Sequence, residues 1–530
     1  MKKLVFLVLL IPLLFACGGV EDNPNPTPPP IQENDTLQKI YDSLVLPEEV
    51  IEDISLPTKK EEVAIEWSSN KEEVLSSSGK VNRGEEDITV ILTAKLTLND
   101  EVKEKKFQIL IKAVEAPKEI LNINFTSNYD FKMDEAAAKE YPYYKGYLYP
   151  GLLNKDGSEH TDFKENETTG KRLNVRLFGA KPNDEKFDNT KAFENAIAAA
   201  EYGDEVFVPK GKYYFSSAVI TTPYYAHIRL KEGVNFTGEG KEESILVSNF
   251  QNNEYVHSTY GKKTATLVCG NMSNSTISKI GFTANTDDSC LPEDYSNTTV
   301  NNPKGNAFAP AFGIVVYNIS LLTLAQNIYI HDVYIEYFQY DGIRLYCTRD
   351  CKISDSVITK TTDIGGGGAG YGIEIRGFGH EYFSYIDSNL DSCYNIITGV
   401  KVIGPYMRHG IILSYLTHNN LFYNNEITDT ADDAYDVHGQ DEFLNMFVKN
   451  YGSGSRRGAG LGLGNTGSSH DESGYGNVLY ENTFVECKYG VTVARGTQYT
   501  QLIRNEISSC QDGIVINNGP NTYQENNKIS

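Results

Sequence analysis

The chain has 530 residues, 40% of them hydrophobic, and a formal net charge of -23. That length exceeds one ordinary domain, and the acidic balance excludes nucleic-acid binding, which needs a net basic surface against phosphates. The eight cysteines show neither a CxxC pair nor zinc spacing, so most read as small buried apolar residues rather than a disulfide framework.

Lys2 and Lys3 precede an apolar run from Leu4 to Phe15, too short to span a bilayer and typical of a secretory signal. The run ends in "LFACGG" and resembles the lipobox of bacterial lipoproteins. That resemblance implies a signal peptide over residues 1–16, cleavage before Cys17 and lipidation of Cys17. Glu21 and Asp22 resemble the acidic export signal of surface-exposed lipoproteins in Gram-negative bacteria. The implied address is the outer membrane, with the protein held there only through the lipid anchor at Cys17. "NPNPTPPP" (23–30) is a stiff proline spacer, and residues 17–36 read as a linker.

Between residues 37 and 116, "VAIEW" (63–67), "ITVILTAKLTL" (88–98) and "FQILIKAV" (107–114) read as strands, with a hairpin turn at Asn99-Asp100. The stretch resembles bacterial immunoglobulin-like domains, which implies a small β-sandwich with Trp67 in its core. No chemistry is visible there, so it reads as a spacer. Residues 117–172 connect it to the remainder.

"LNVRLFGAKPNDEKFDNTKAFENAIAAAEYGDEVFVPKGKYYF" (173–215) opens with a strand. A helix follows, started by Asp188 or Asn189 and apolar along Ala192, Phe193, Ala196, Ile197 and Ala200. The passage resembles the opening of pectate-lyase-like proteins. It implies that residues 173–530 form a right-handed parallel β-helix with this helix capping its first rung. Lyases, hydrolases, epimerases and tailspikes share that opening, so it speaks for fold rather than activity.

From residue 320 the chain repeats, as a solenoid does. "DGIRL" (341), "YGIEI" (371), "HGIIL" (409), "DAYDV" (433), "AGLGL" (459), "YGVTV" (489) and "DGIVI" (512) recur 23 to 38 residues apart. A second unit sets Asp355, Asn425, Asn482 and Asn505 two residues before an apolar position. The fold class is therefore all-β, a parallel β-helix behind a small Ig-like unit.

Stacking the repeats in register sends Ile343, Ile373, Ile411, Tyr435, Leu461, Val491 and Ile514 inward, with Leu345 to Ile516 as the next inward column. Arg344, Glu374, Ile412, Asp436, Gly462 and Thr492 then face out, as do Tyr346, Arg376, Ser414, His438, Gly464 and Ala494. His409 stacks beside Asp433. His438 and Asp436 leave one strand side by side, with Arg376 two rungs, about 10 Å, away. His409, His418, His438 and His470 all fall within 62 residues. The expectation is an open trough for a chain molecule.

Cleavage of a uronic-acid polysaccharide by β-elimination needs a cation for the carboxylate, a base for the C5 proton and an acid for the departing O4. Imidazole titrates near neutrality and suits the base. His438 is assigned as base, oriented by Asp436 or Asp433, with His409 or Tyr415 as acid. Arg376, Arg408, Arg456 and Arg457 are candidates to grip the carboxylate bidentately. His418, Asn465, His470 and Arg495 complete the expected substrate-binding set. Asp436-Val437-His438 resembles the Asp-Pro-His motif of mannuronan C5-epimerases, with valine for proline and Asp433 where that motif has tyrosine.

The stretch from "RHGIILSYLTHNN" to "GLGNTGSSHDESG" is similar to β-helix proteins of polysaccharide-degrading bacteria, which implies an acidic polysaccharide as partner. Two other readings stay open. One is a polygalacturonase-like hydrolase built on Asp432-Asp433; the other is a non-catalytic glycan binder. The histidine-centred site requires no cofactor. Calcium is compatible with the acidic loop "NTDDSCLPEDYS" (285–296). The protein reads as monomeric.

Overall fold

The computed structural model describes residues 34–84, 87–113, 149–154, 160, 162–220, 224–250, 264–269, 274–291, 310–317, 324–361, 370–377, 391–438, 441–464 and 474–530. The signal segment, Cys17 and the proline spacer lie outside these. The chain divides into two units, one up to Thr126 and one from Ser127 onward.

The first unit holds a five-stranded sheet centred on Ile88–Leu98, flanked antiparallel by Val63–Ser69 and Glu101–Ile111. Asn99, at φ +53°, makes the expected hairpin turn. Val90, Leu92, Ala94 and Leu96 alternate onto one buried face. That face is covered by Leu37, Ile40 and Leu44 at one end and by Val74 and Leu75 at the other. A helix, Asn34–Ser43, supplies Leu37 and Ile40. Trp67 bridges the two apolar clusters and donates from its indole to Pro57 O at 2.9 Å.

The second unit is a parallel β-helix. One face is a ten-stranded parallel sheet that runs from Tyr225–Leu230 to Asp512–Asn517. All seven repeats read from the sequence are strands of it, in the expected register: Ile343, Ile373, Ile411, Tyr435, Leu461, Val491 and Ile514 pair in succession. The first six are fully buried. Ile516, expected inward, is 40% exposed on the end strand of the described sheet.

The small residue of the repeat has a steric reason. A Cβ on Gly342 would meet Gly372 O at 2.8 Å, and one on Gly372 would meet Gly410 O at 2.6 Å. Three upstream rungs were not evident from the repeat. In two of them, the aligned slot holds Thr266 and His227 instead of glycine.

Between the faces, asparagines stack. Asn425, Asn450, Asn482 and Asn505 each pass an amide N–H to the side-chain oxygen of the next asparagine at 2.9–3.0 Å, the last of them to Asn527. That oxygen also takes the backbone N–H of the preceding asparagine. A second ladder, Asn395 to Asn477, was not read from the sequence. Asp355 stands one position out of the first ladder, since Lys401 pairs with Val357 and Glu426. Asn450→Ala leaves the buried Asn425 N–H and Phe422 carbonyl without partners. It is expected to cost roughly 1–3 kcal/mol, read as a lower urea midpoint.

The helix Thr190–Ala199 closes the first rung, with Phe193 packed edge-on against Tyr213 and Phe215. Asp188 Oδ1 accepts the Thr190 N–H, while the Asn189 side chain is spent on Lys181 and Tyr214.

Candidate active site

The opening and fourth positions of the central rungs face away from the core, yet they are not open to solvent. Asp341, Arg344, Glu374, His409, Asp433 and Asp436 are all buried. Only the sixth column, at the sheet edge, keeps partial exposure, at Tyr346, Arg376 and His438. The expected trough is therefore narrower than the register implied. Acids and imidazoles form its hidden wall.

His438 is 21% exposed and its backbone N–H is fixed to Leu413 O at 2.9 Å. Its Nδ1 lies 3.5 Å from Oδ2 of Asp436, which is fully buried. The same oxygen lies 3.5 Å from His409 Nε2. The Asp433 N–H donates to His409 Nδ1 at 3.2 Å, so that nitrogen carries the lone pair and Nε2 carries the proton. One carboxylate thus stands between two imidazoles, facing an N–H on each side. Burial alone would raise the Asp436 pKa, but His409, His438 and Arg408 hold the carboxyl below its ordinary range. Burial drives His409 the other way, down to about 4, so it is neutral near neutrality.

That neutrality has a stability consequence. His227, buried between Ser217 O and Ser248 Oγ, is likewise lowered to about 4. Both histidines bind a proton more readily when unfolded, where the pKa is about 6.5. Their stabilisation is complete above that value and is lost as pH falls towards 4. Each contributes on the order of 3 kcal/mol. Thermal midpoints measured from pH 7 to pH 4 are expected to fall, and His227→Gln should flatten the fall.

Arg408 Nε meets Asp432 Oδ2 at 3.1 Å, and Arg457 meets the same carboxylate at 3.0 Å and 3.1 Å. Two guanidinium groups thus share Asp432. Upstream, Arg344 is sealed between Asp341 (2.6 Å) and Glu374, with its guanidinium 4.7 Å from the Phe312 and Tyr340 rings. Glu374 also meets Arg376 at 3.3 Å, and Arg376 lies over the Tyr415 ring.

Several expectations are corrected. His409 is buried and cannot touch substrate, which removes it as acid. Tyr415 is buried beneath Arg376, with its N–H given to the buried Glu442. Asp433 accepts the Ala459 N–H and faces His409 rather than His438. His418 belongs to a separate four-stranded sheet. There it is fully buried, stacked on Phe443 and bonded to Asp391 at 2.9 Å. Arg456 holds the Pro405 and Asp429 carbonyls. Arg495 is exposed two rungs beyond His438.

Asn465 and His470 lie outside the described residues. In the acidic loop, Asp287 caps Ser289 and Asp288 pairs with Lys360 at 2.8 Å; residues 292–296 lie outside the described set. Asp432 as a double clamp, and the Asp341–Arg344–Glu374 cluster, were not singled out. Their signal was opposite charges at aligned positions of neighbouring rungs, visible once the register is set.

His409, Asp433 and Asp436 bring three donor atoms within 4.8 Å of one another. However, the two carboxylates face different ring nitrogens. One imidazole cannot turn both nitrogens to a single ion, so the arrangement suits a hydrogen-bond relay.

Residues 172–398 match the family described as rhamnogalacturonase A/epimerase, pectate lyase-like, and residues 312–529 match the right handed beta helix region. Residues 32–114 match the atrophied bacterial Ig domain. The chain thus joins an Ig-like domain to a pectate-lyase-like right-handed β-helix. Its fold is similar to DFA-IIIase from Arthrobacter chlorophenolicus A6 in complex with DFA-III, at 13% identity and TM-score 0.44, covering 67% of this chain and 83% of that one. It is also similar to the A-module of the Azotobacter vinelandii mannuronan C-5 epimerase AlgE4, at 14% identity and TM-score 0.42, covering 68% and 97%.

Bacteriophage phi29 gene product 12 matches at 13% identity and TM-score 0.41 over 66% of this chain, which spans about half (51%) of the phage protein. Likeness at this level concerns the fold alone. No curated protein sequence matches the chain.

Proposed function

We propose that the β-helix unit is a polysaccharide lyase acting on a uronic-acid-containing anionic polysaccharide. Glycosaminoglycans such as chondroitin sulfate or hyaluronan, alginate and pectate are the candidate substrates. One observation carries the reading: a partly exposed imidazole, His438, has Nδ1 turned to a wholly buried carboxylate. Asp436 holds the ring so that Nε2 is the nitrogen for proton transfer, and it stabilises the imidazolium that forms.

His438 then takes the C5 proton, the C4–O4 bond breaks, and C4 and C5 become doubly bonded. With His409 and Tyr415 buried, His438 is the described group placed to return a proton to O4. Arg376, in His438's own column two rungs away, is the guanidinium best placed to offset the substrate carboxylate, easing removal of the neighbouring C5 proton. The 3.5 Å approaches to Asp436 are long for hydrogen bonds, and such contacts tighten in the substrate complex.

Asp436-Val437-His438 favours one second reading, a C5-epimerase, which shares the first half of this reaction. The hydrolase reading loses support, because Asp433 is buried against Ala459 and Asp432 is locked between two arginines. Incubation with chondroitin sulfates, hyaluronan, alginate and pectate separates the cases. A lyase generates ultraviolet-absorbing unsaturated uronate ends, and an epimerase exchanges C5 hydrogen with solvent without cleavage. A hydrolase makes reducing ends alone, and a binder does none of these.

We further place the enzyme on the cell surface through lipidated Cys17. Loss of fatty-acid labelling in Cys17→Ala would accompany that location.

A further inference from the structure

A segment preceding the first rung returns along one corner of the solenoid. Asn419 Nδ2 donates to Tyr149 O at 2.6 Å, and the Gly151 N–H donates to Leu444 O at 2.7 Å. The His160 ring stacks on Tyr394 at 4.1 Å, Phe163 meets Tyr329 edge-on, and Asn166 bonds Asn235. The corner it follows is a column of left-handed residues, Asp350, Tyr394, Asn419 and Leu444, with φ between +51° and +55°.

His160 Nε2 sits 3.3 Å from Asp162 Oδ2 and 3.6 Å from Asp350 Oδ1. Neither approach is a hydrogen bond. Both His160 Nε2 and Asp350 Oδ1 are buried atoms without a hydrogen-bond partner. Asp350 as a whole is 7% exposed, and its other oxygen faces Arg349 Nε at 3.4 Å. A buried acceptor left in that condition is costly unless something binds it.

The spacing says what kind of thing. A tetrahedral ion with bonds of about 2.0–2.1 Å sets its ligand atoms roughly 3.3–3.4 Å apart. The Asp162 separation falls on that value and the Asp350 separation lies a few tenths of an ångström beyond it. The contrast with His409 is decisive: here one ring nitrogen faces both carboxylates, which is a chelating arrangement rather than a relay.

We propose that His160, Asp162 and Asp350 bind a divalent cation of the zinc class, with water completing the shell, and so fasten this segment to the solenoid corner. An imidazole with two carboxylates suits zinc, cobalt or manganese better than calcium, which takes six to eight oxygens. The site is separate from His438 and does not rest on the lyase reading.

The test uses the whole protein stripped with chelator and titrated with zinc alone. The expected result is one equivalent bound by calorimetry, a thermal midpoint that rises with zinc, and a visible tetrahedral spectrum with cobalt. Asp162→Ala, which changes an exposed side chain, and His160→Gln should each weaken zinc binding more than about 10-fold and abolish the thermal shift. His409→Gln should keep both. Absence of zinc uptake by the parent protein, or uptake unchanged in Asp162→Ala and His160→Gln, would overturn the proposal.

Discussion

His438→Ala is expected to lower turnover of the acidic polysaccharide by about 100- to 10,000-fold, the span of a positioned proton-transfer group. The ring is at the sheet edge and 21% exposed, so the fold should persist and the loss of activity should far exceed any drop in the thermal midpoint. Substrate affinity should hold too, because Arg376 and its contact with Glu374 are untouched. The expected signature is therefore a fall in kcat at constant KM. Asp436→Asn should share that fall to a lesser degree, since the amide keeps the volume but presents no carboxylate to the imidazolium. A His438→Ala protein that still makes unsaturated ends at the parent rate would remove His438 from the chemistry.

Arg344→Met is expected to destabilise the β-helix by about 3–5 kcal/mol, the cost of breaking a buried ion pair from one side. Methionine can follow the path between Phe312 and Tyr340, but Asp341 and Glu374 are then left facing each other away from water. Burial already pushes Asp341 well above the ordinary carboxylate range, against the pull of Arg344. Without Arg344 the folded variant must keep protons that the unfolded chain releases above about pH 4. A raised folded pKa gives stability below the unfolded value that is lost as pH rises. The penalty should therefore grow from pH 4 to pH 8, and adding Glu374→Gln should recover part of it. Urea unfolding across that range reads both effects. A pH-independent loss would mean that packing rather than charge holds Arg344 in place.

Much of this was legible in the chain. Inward positions such as Ile343, Ile411 and Leu461 must be apolar in every coil, and the slot at Gly342, Gly372 and Gly410 must be small because the next carbonyl passes beside it. These demands recur coil after coil and leave a periodic trace. It revealed the solenoid, its register and the pairing of Asp436 with His438 on one strand. It failed where a rung departs from the pattern, as at Thr266 and His227; the second asparagine ladder follows the same Asn-before-apolar rule as the first and was simply passed over.

The exposure of outward groups was not legible. Sequence by itself determined which side chains leave the sheet on the same face, since alternation is a local property of the strand. Which of those meet solvent was decided only by the tertiary structure. Burial of Asp436, His409 and Tyr415 depends on neighbours from distant coils, and a charged residue reads alike whether water or another charge lies above it. The same holds for His160 and Asp350, which lie 190 positions apart in the chain and meet only because the segment folds back along the corner.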